Sequence, residues 1–145
     1  MNMDNPLISV VTVAYNAVTT IEKTILSVIN QTYPNVEYII IDGGSTDGTV
    51  EIIKKYANKL AYWVSEPDNG IYDAMNKGAK VATGEWINFM NCGDSFFTKA
   101  VLMDIFSTDN VRDCTDVIYG DTCVVEIWGM YEQRPKIGRA SCRER

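Results

Sequence analysis

The stretch Y-I-I-I-D-G-G-S-T-D-G, from Tyr38 to Gly48, joins an apolar run to an acid, two glycines and a polar turn. An uninterrupted apolar run is typical of a strand that is buried on both faces, as in a parallel sheet. The strand is predicted to begin at Val36 and to stop on Asp42. A carboxylate and a flexible loop at the end of a buried strand form a candidate ligand site.

Strand-like and helix-like patterns alternate along the chain. Apolar runs predict the following strands: Ile8–Tyr15, Val36–Asp42, Ala61–Glu66, Glu85–Asn91 and a later strand or hairpin within Asp116–Trp128. Apolar residues at helical spacing predict the following helices: Thr19–Gln31, Asp47–Lys59, Ile71–Gly84 and Lys99–Ser107. This alternation predicts an α/β fold with a parallel sheet and right-handed crossovers.

Polar loops follow the first four predicted strands. They are Y-N-A (15–17), D-G-G-S-T-D-G (42–48), E-P-D-N-G (66–70) and N-C-G-D (91–94). In parallel α/β sheets, ligands bind outside the carboxyl ends of the strands. The four loops are therefore predicted to converge at one edge of the sheet.

Composition excludes several classes of protein. The chain has 145 residues, enough for one domain with a real core. Its formal net charge of -6 disfavours nonspecific nucleic-acid binding, and the absence of histidine excludes a Ser-His-Asp mechanism. Its four cysteines form no C-x-x-C pair, which disfavours a zinc site and favours a reduced, cytosolic protein. No apolar run reaches the ~18 residues of a transmembrane helix.

Two loops carry candidate chemistry, and each has a purely structural alternative. Asp42 could accept a hydrogen bond from a ligand's ring N–H, or it could belong to a turn that caps the next helix. Asp94 of N-C-G-D could hold a divalent cation beside a diphosphate. Alternatively, it could be an ordinary residue of a β-turn. Neither a G-x-G-x-x-G fingerprint nor a G-x-x-x-x-G-K-[ST] phosphate loop is present.

The segment from Glu66 to Gly78 combines a polar loop with the first part of the helix predicted from Ile71. Asp73 and Lys77 are four residues apart, which predicts an ion pair on a solvated face. Large apolar residues in and around this region are predicted to lie in the core: Trp63, Tyr72, Met75, Trp86, Phe89 and Met90.

These loops, in this order, resemble family 2 glycosyltransferases. The resemblance covers nearly all of residues 6–122 and includes PLISVVTVAYN, IEKTILSVINQTYPNVEYIIIDGGSTDGT, EPDNGIYDAMNKGAKVATGEWINFMNCGD and DVIYGDT. It implies a GT-A (Rossmann-like), mostly parallel sheet flanked by helices, a nucleoside-diphosphate sugar, foremost a UDP-sugar, and inversion at the anomeric carbon. The branch it resembles builds bacterial exopolysaccharide, capsule and lipopolysaccharide, so the implied acceptor is a glycan or a lipid-linked glycan. We expect a cytoplasmic protein, and docking at the inner face of the membrane stays open.

The resemblance also implies site residues. It assigns nucleotide-sugar binding to Ala14, Tyr15, Asn16, Asp42, Asp68, Gly70, Asn76, Asn91 and Gly93. Asp42 would bind the uracil ring, and Asp94 would hold Mg²⁺ or Mn²⁺ at the position of the family's Asp-x-Asp motif. Asn91 and Gly93 stand where other members often have acids, which affects metal affinity and the ribose contact. Gly43 likewise replaces a frequent second acid.

The last ten residues, K-I-G-R-A-S-C-R-E-R (136–145), are strongly basic and continue no strand or helix pattern. They can be back-translated into the sequence of a common short-read sequencing adapter. We therefore expect residues 1–135 to be an incomplete donor-binding part of a glycosyltransferase domain, and residues 136–145 to be a non-native tail. The family's catalytic base is expected beyond the chain end, because Asp116, Asp121 and Glu126 match it poorly.

Two other functions stay open at this stage. A nucleotide-sugar binding module without transferase activity would need no base. A nucleotidyltransferase would share the α/β nucleotide fold but would need a Gly-rich, basic first loop for a triphosphate. The loop A-Y-N-A-V-T-T-I-E (14–22) is neither, which ranks this alternative last.

Overall fold

The computed structural model describes residues 5–106, 115–120, 125–126, 129–130 and 137–141. The chain divides into two compact units, Met1–Met103 and Asp104–Arg145. The helices are α1 (Ile21–Ile29), α2 (Thr49–Lys55), α3 (Ile71–Val81) and α4 (Val101–Phe106), with a 3₁₀ turn at Ala57–Lys59. In the described part of the chain, no helix is long and apolar enough to cross a membrane.

The first unit is built on a four-stranded parallel sheet. Its strands are β1 (Ile8–Ala14), β2 (Val36–Asp42), β3 (Tyr62–Ser65) and β4 (Trp86–Phe89), in the order β3-β2-β1-β4. Ile8 pairs with Val36 at one end of the central ladder, and Ala14 pairs with Asp42 at the other. The predicted parallel α/β sheet, and the bounds of β2, are confirmed.

The core lies where α3 packs against the two central strands. It contains Val11, Val13, Ile39, Ile41 and Ala74, with Met75 and Val81 packed against it. Burying side chains of this size contributes about 1.5–3 kcal/mol each. A Cβ on Gly78 would collide with the side chain of Val11, so this glycine lets α3 approach β1 closely.

The end of α3 differs from the sequence prediction. The helix ends at Val81, since Ala82 is extended, and not at Gly84. A Cβ on Gly84 would lie 2.7 Å from the backbone nitrogen of Ser9 and 2.8 Å from the carbonyl oxygen of Leu7. This glycine is therefore required by close packing of two backbones and does not cap the helix.

Two of the predicted core aromatics are exposed. Tyr72 is 78% exposed and Phe89 is 37% exposed, so both predictions are wrong. Ala74 and Gly78, four residues apart, turn toward the sheet, which sends Tyr72 to the opposite face of α3. Met90 is buried as predicted, while Trp63 and Trp86 are partly buried.

The second unit contains two antiparallel strand pairs. β5 (Thr115–Gly120) pairs with β8 (Ile137–Ser141), and β6 (Val125–Glu126) pairs with β7 (Gly129–Met130). Residues 137–141 form a strand although the sequence of this segment shows no strand pattern, because antiparallel pairing uses backbone groups and does not require an apolar pattern. The origin of this segment stays a prediction. Asp121 and the side chains of Asp116 and Glu126 lie outside the described residues.

Candidate functional site

A cleft of about 650 Å³ opens at the carboxyl ends of β1 and β2, beside the loop that follows β3. Its lining residues come from the end of β1, from three of the four predicted loops and from the first turns of α3: Val13, Ala14, Tyr15, Gly43, Gly44, Pro67, Asp68, Gly70, Ile71 and Ala74. A cleft of this volume suits a nucleotide-sized ligand. Tyr15 is 67% exposed and Ile71 is 48% exposed, so the rim presents apolar surface to a ligand.

Hydrogen bonds join the loop after β1 to the loop after β2. The backbone N–H of Asn16 donates to Ser45 Oγ at 2.8 Å, and Asn16 Oδ1 accepts from the N–H of Thr46 at 3.0 Å. The N–H of Val18 donates to Asp47 Oδ2 at 3.1 Å. Asn16 adopts a left-handed conformation (φ 46°), which asparagine tolerates better than most residues. Asn16 therefore fixes the shape of the cleft wall and is not among its lining residues.

Asp42 is fully buried, and its carboxylate is occupied by the protein itself. Oδ2 accepts from the N–H groups of Gly44 (3.1 Å) and Ser45 (2.9 Å) and from Ser65 Oγ (2.6 Å). Oδ1 accepts from Ser45 Oγ. The structure thus makes Asp42 the anchor of its own loop, with both carboxylate oxygens hydrogen-bonded inside the protein.

Asp68 is the carboxylate that lines the cleft. It is partly buried, and its Oδ1 accepts from the N–H of Gly70 at 2.9 Å. Its Oδ2 lies 2.7 Å from the point where a Cβ on Gly43 would sit. Within the described residues, nothing donates a hydrogen bond to Oδ2, which leaves this oxygen available to a ligand.

Lys77 holds the segment that carries Asp68. Its Nζ lies 3.0 Å from Glu66 Oε1 and 3.7 Å from Asp73 Oδ2, and it donates to the carbonyl oxygen of Pro67 at 3.3 Å. The hydrogen bond to Glu66, followed by the charges of Glu66, Asp73 and Asp68, raises the pKa of Lys77. The predicted Asp73–Lys77 ion pair is therefore present. Lys77 also contacts Glu66 and the Pro67 carbonyl, which the sequence pattern did not reveal.

The predicted metal residues lie in the turn after β4. The N–H of Asp94 donates to the carbonyl oxygen of Asn91 at 3.0 Å, and Gly93 between them has φ 99°. The side chain of Asp94 is exposed, and no hydrogen bond to its carboxylate is present in the described part of the chain. Asn91 Oδ1 is buried and has no hydrogen-bond partner there.

These groups fit a cation only when it is shared with a ligand. No cluster of three Cys, His, Asp or Glu residues exists in the described ranges, so the protein alone offers few ligands. Mg²⁺ is commonly held by one or two carboxylates together with substrate phosphates. The carboxylate of Asp94, with the unpartnered oxygen of Asn91 nearby in sequence, meets that smaller requirement.

Cys92 belongs to the turn after β4, two residues before Asp94. Its N–H donates to the carbonyl oxygen of Val13 at 3.3 Å, which ties the β4 turn to β1. Burial, followed by the negative charges of Asp42 and Asp94, raises the pKa of the Cys92 thiol to about 12. The thiol is therefore neutral and unreactive near pH 7.

The structure divides the predicted site residues into four groups. Ala14, Tyr15, Asp68 and Gly70 line the cleft, whereas Asn16 and Asp42 support it from behind. Asn91, Gly93 and Asp94 form the separate turn after β4. Asn76 is exposed on α3 and is not among the cleft-lining residues. Sequence reasoning missed Ser65 and the contacts of Lys77 with Glu66 and Pro67, because these depend on how the loops meet.

The family profile described as "Glycosyl transferase family 2" matches residues 9–133. The chain belongs to glycosyl transferase family 2. An uncharacterized glycosyltransferase of Mycobacterium tuberculosis is 36% identical over 125 residues, which cover 86% of this chain and 44% of that protein. A PGL/p-HBAD biosynthesis glycosyltransferase of Mycobacterium bovis is 31% identical over 122 residues, covering 82% of this chain and 48% of that protein. The chain thus spans less than half the length of these family 2 relatives.

Two solved structures place the fold among GT-A glycosyltransferases. Staphylococcus aureus TarS 1-349, solved in complex with UDP-GlcNAc, is 29% identical with a TM-score of 0.63, over 70% of this chain and 30% of that one. The mannosyltransferase PcManGT of Pyrobaculum calidifontis, solved with GDP-Man and Mn²⁺, is 24% identical with a TM-score of 0.68. It covers 84% of this chain and 36% of that one, and it supports the fold.

Proposed function

We propose that this family 2 chain binds the donor of an inverting glycosyltransferase, which moves a sugar from a UDP-sugar to a glycan or lipid-linked acceptor in surface polysaccharide synthesis. The cleft carries the proposal, because it joins an exposed aromatic rim at Tyr15 to an available carboxylate oxygen on Asp68. UDP-GlcNAc binding by TarS and the PGL/p-HBAD role of the mycobacterial relative support a nucleotide-sugar donor and a cell-envelope acceptor. We place the protein in the cytoplasm or at the inner face of the membrane.

The nucleoside would lie in the cleft between Tyr15 and Ile71. A uracil ring carries an N–H, and a carboxylate oxygen without an internal partner is the natural acceptor for it. Asp68 Oδ2 has that property, whereas all the bonds of Asp42 described above are internal. We therefore propose that Asp68 contacts the base and that Asp42 holds the loop that shapes the pocket.

The diphosphate would face the turn after β4. Mg²⁺ or Mn²⁺ bound there would neutralise negative charge that develops on the departing diphosphate. Asp94 would hold the ion, and Asn91 would contribute its unpartnered amide oxygen to the ion or to the ligand. Gly93, with open space where a Cβ would point, lets the phosphates come close to the backbone of this turn.

Binding of UDP with and without Mn²⁺ tests the proposal. Calorimetry on the 145-residue chain should show tighter UDP binding when Mn²⁺ is present, and Asp94→Ala should remove most of that gain. Glu51→Ala is the matched control, since it removes one exposed acid from α2. Equal UDP affinity with and without Mn²⁺ in the unmodified chain, or a gain that survives Asp94→Ala, would overturn the metal role of Asp94.

A further inference from the structure

Helix α1 carries a stripe of polar side chains on the side that faces the turn after β4. Thr24, Ser27 and Gln31 are three and four residues apart, so they lie on one face of the helix and its C-terminal turn. Thr24 is completely buried. A buried hydroxyl is costly unless it is hydrogen-bonded, so its partners explain why this position is polar.

The partners of Thr24 are the backbone groups of the Asp94 turn. Thr24 Oγ1 accepts from the N–H of Gly93 at 3.1 Å and donates to the carbonyl oxygen of Asp94 at 2.8 Å. The carbonyl oxygen of Thr20, at 3.5 Å, is a more distant alternative acceptor. One hydroxyl therefore bonds the peptide group that precedes Gly93 and the peptide group that follows Asp94, so it holds the turn on both sides of this residue pair.

The rest of the stripe continues the same pattern along the chain. Ser27 Oγ accepts from the N–H of Phe96 at 3.3 Å. Gln31 Nε2 donates to the carbonyl oxygen of Thr98 at 2.7 Å, and its Oε1 accepts from the N–H of Leu102 at 3.1 Å. Three side chains on one face of α1 and its C-terminal turn thus bind successive points of the segment 93–102.

We propose that Thr24 is a positioning residue that sets the metal affinity of Asp94, with Ser27 and Gln31 extending its hold on the segment. Thr24 does not touch the ion or the ligand, and it acts through the backbone of the turn. The inference rests on the proposed function, because it takes Asp94 as the carboxylate that holds the cation. An independent observation also points to a ligand at this turn: Oδ1 of Asn91, at its start, is buried and has no hydrogen-bond partner among the described residues.

The experiment compares Thr24→Val with Thr24→Ser in the 145-residue chain, using UDP and Mn²⁺ as probes. Valine keeps the shape but removes the hydroxyl, so the Mn²⁺-dependent gain in UDP affinity should fall about tenfold, as is usual when a partner that orients a metal ligand is lost. UDP affinity without Mn²⁺ should stay at its original value. Serine keeps the hydroxyl and should restore the gain.

A matched control separates positioning from general destabilisation. Thr12→Val removes another completely buried hydroxyl, which is hydrogen-bonded to Tyr38 Oη at 3.0 Å in the centre of the sheet. It should lower stability and leave the Mn²⁺-dependent gain intact. Amide exchange at Gly93 and Phe96 should accelerate in Thr24→Val and not in Thr12→Val.

Each remaining outcome contradicts the inference in a recognisable way. If Thr24→Val keeps the full Mn²⁺-dependent gain, or Thr12→Val loses as much of it, Thr24 is only a structural residue and the proposed function still stands. If the unmodified chain shows no Mn²⁺-dependent gain, the metal role of Asp94 fails, and the inference fails with it.

Discussion

The carboxylate of Asp68 occupies the space beside Gly43 that a side chain at position 43 would need. Its Oδ2 lies 2.7 Å from the position of a Cβ there, closer than a Cβ atom tolerates. Gly43 stands where many family 2 members carry a second acid, according to the resemblance. In this chain, Asp68 from the loop after β3 therefore places its carboxylate beside position 43, where other members carry an acid in the loop after β2.

Gly43→Ala should displace Asp68 and weaken UDP binding roughly tenfold, about the value of a hydrogen bond to a charged group. The free energy of unfolding should change little, because the displaced atom is the end of a side chain. Calorimetry with UDP measures the effect, and Asp68→Asn completes a double-mutant cycle. If the two substitutions act through the same carboxylate, their effects will not add; full additivity would contradict the explanation.

Asp42→Asn should destabilise the fold by about 1–3 kcal/mol, because an amide nitrogen would face groups that already donate to Oδ2. Chemical denaturation measures this loss. Since the pocket wall would loosen as a whole, UDP and GDP should lose affinity by the same factor. In contrast, Asp68→Asn should change the UDP-to-GDP ratio. If the ratio of UDP to GDP affinity changed with Asp42→Asn and not with Asp68→Asn, Asp42 would be the residue that contacts the base.

The sheet could be predicted from the sequence because the two central strands have an unmistakable pattern. Ile8–Ala14 and Val36–Asp42 are buried along most of their length, and such strands read as continuous apolar runs. The cleft was also foreseeable, since parallel strands bring their following loops to one edge. The predictions of the sheet and of the cleft rest on the apolar runs and on the order of the loops. Neither prediction requires knowledge of side-chain contacts.

The roles of individual acids were much harder to predict. Asp42 and Asp68 both follow strands, and nothing local in the sequence says that one is enclosed by Ser45 and Ser65 while the other stays open. The exposure of Tyr72 escaped prediction for a similar reason. The buried residues of α3 are small, namely Ala74 and Gly78. A large aromatic residue such as Tyr72 was therefore a misleading guide to which face of the helix is buried.

Glu37 closes a polar network at the amino-terminal side of the sheet. Its carboxylate accepts from Ser9 Oγ and from the N–H (2.8 Å) and Oγ1 (2.7 Å) of Thr83, and Ser9 Oγ also accepts from the N–H of Gly84 at 2.8 Å. Burial raises the pKa of Glu37, but these hydrogen bonds outweigh it and hold the pKa below its usual value. The network ties the loop after α3 to β1 and β2.

Glu37→Gln should therefore lower the free energy of unfolding near pH 7 and flatten its dependence on pH in acid. A carboxyl with a depressed folded pKa stabilises the fold above its unfolded pKa of about 4.3, and this contribution is lost as the pH falls through the folded value. Urea denaturation between pH 3 and pH 7 measures the slope. Glu51→Gln, at an exposed position, is the control. Parallel curves for Glu37→Gln and the unmodified chain would contradict the assignment.

Cys92 should resist alkylation in the folded protein. Because its thiol pKa is raised to about 12, mainly by burial, the reactive thiolate is scarce at pH 8, and the reaction should be roughly a hundredfold slower than for a free thiol, or slower still. Iodoacetamide labelling followed by peptide mass spectrometry reads Cys92 separately from the other cysteines. Labelling in urea is the control, since unfolding should restore the ordinary rate. Fast labelling of Cys92 in the native chain would contradict the burial and the raised pKa of its thiol.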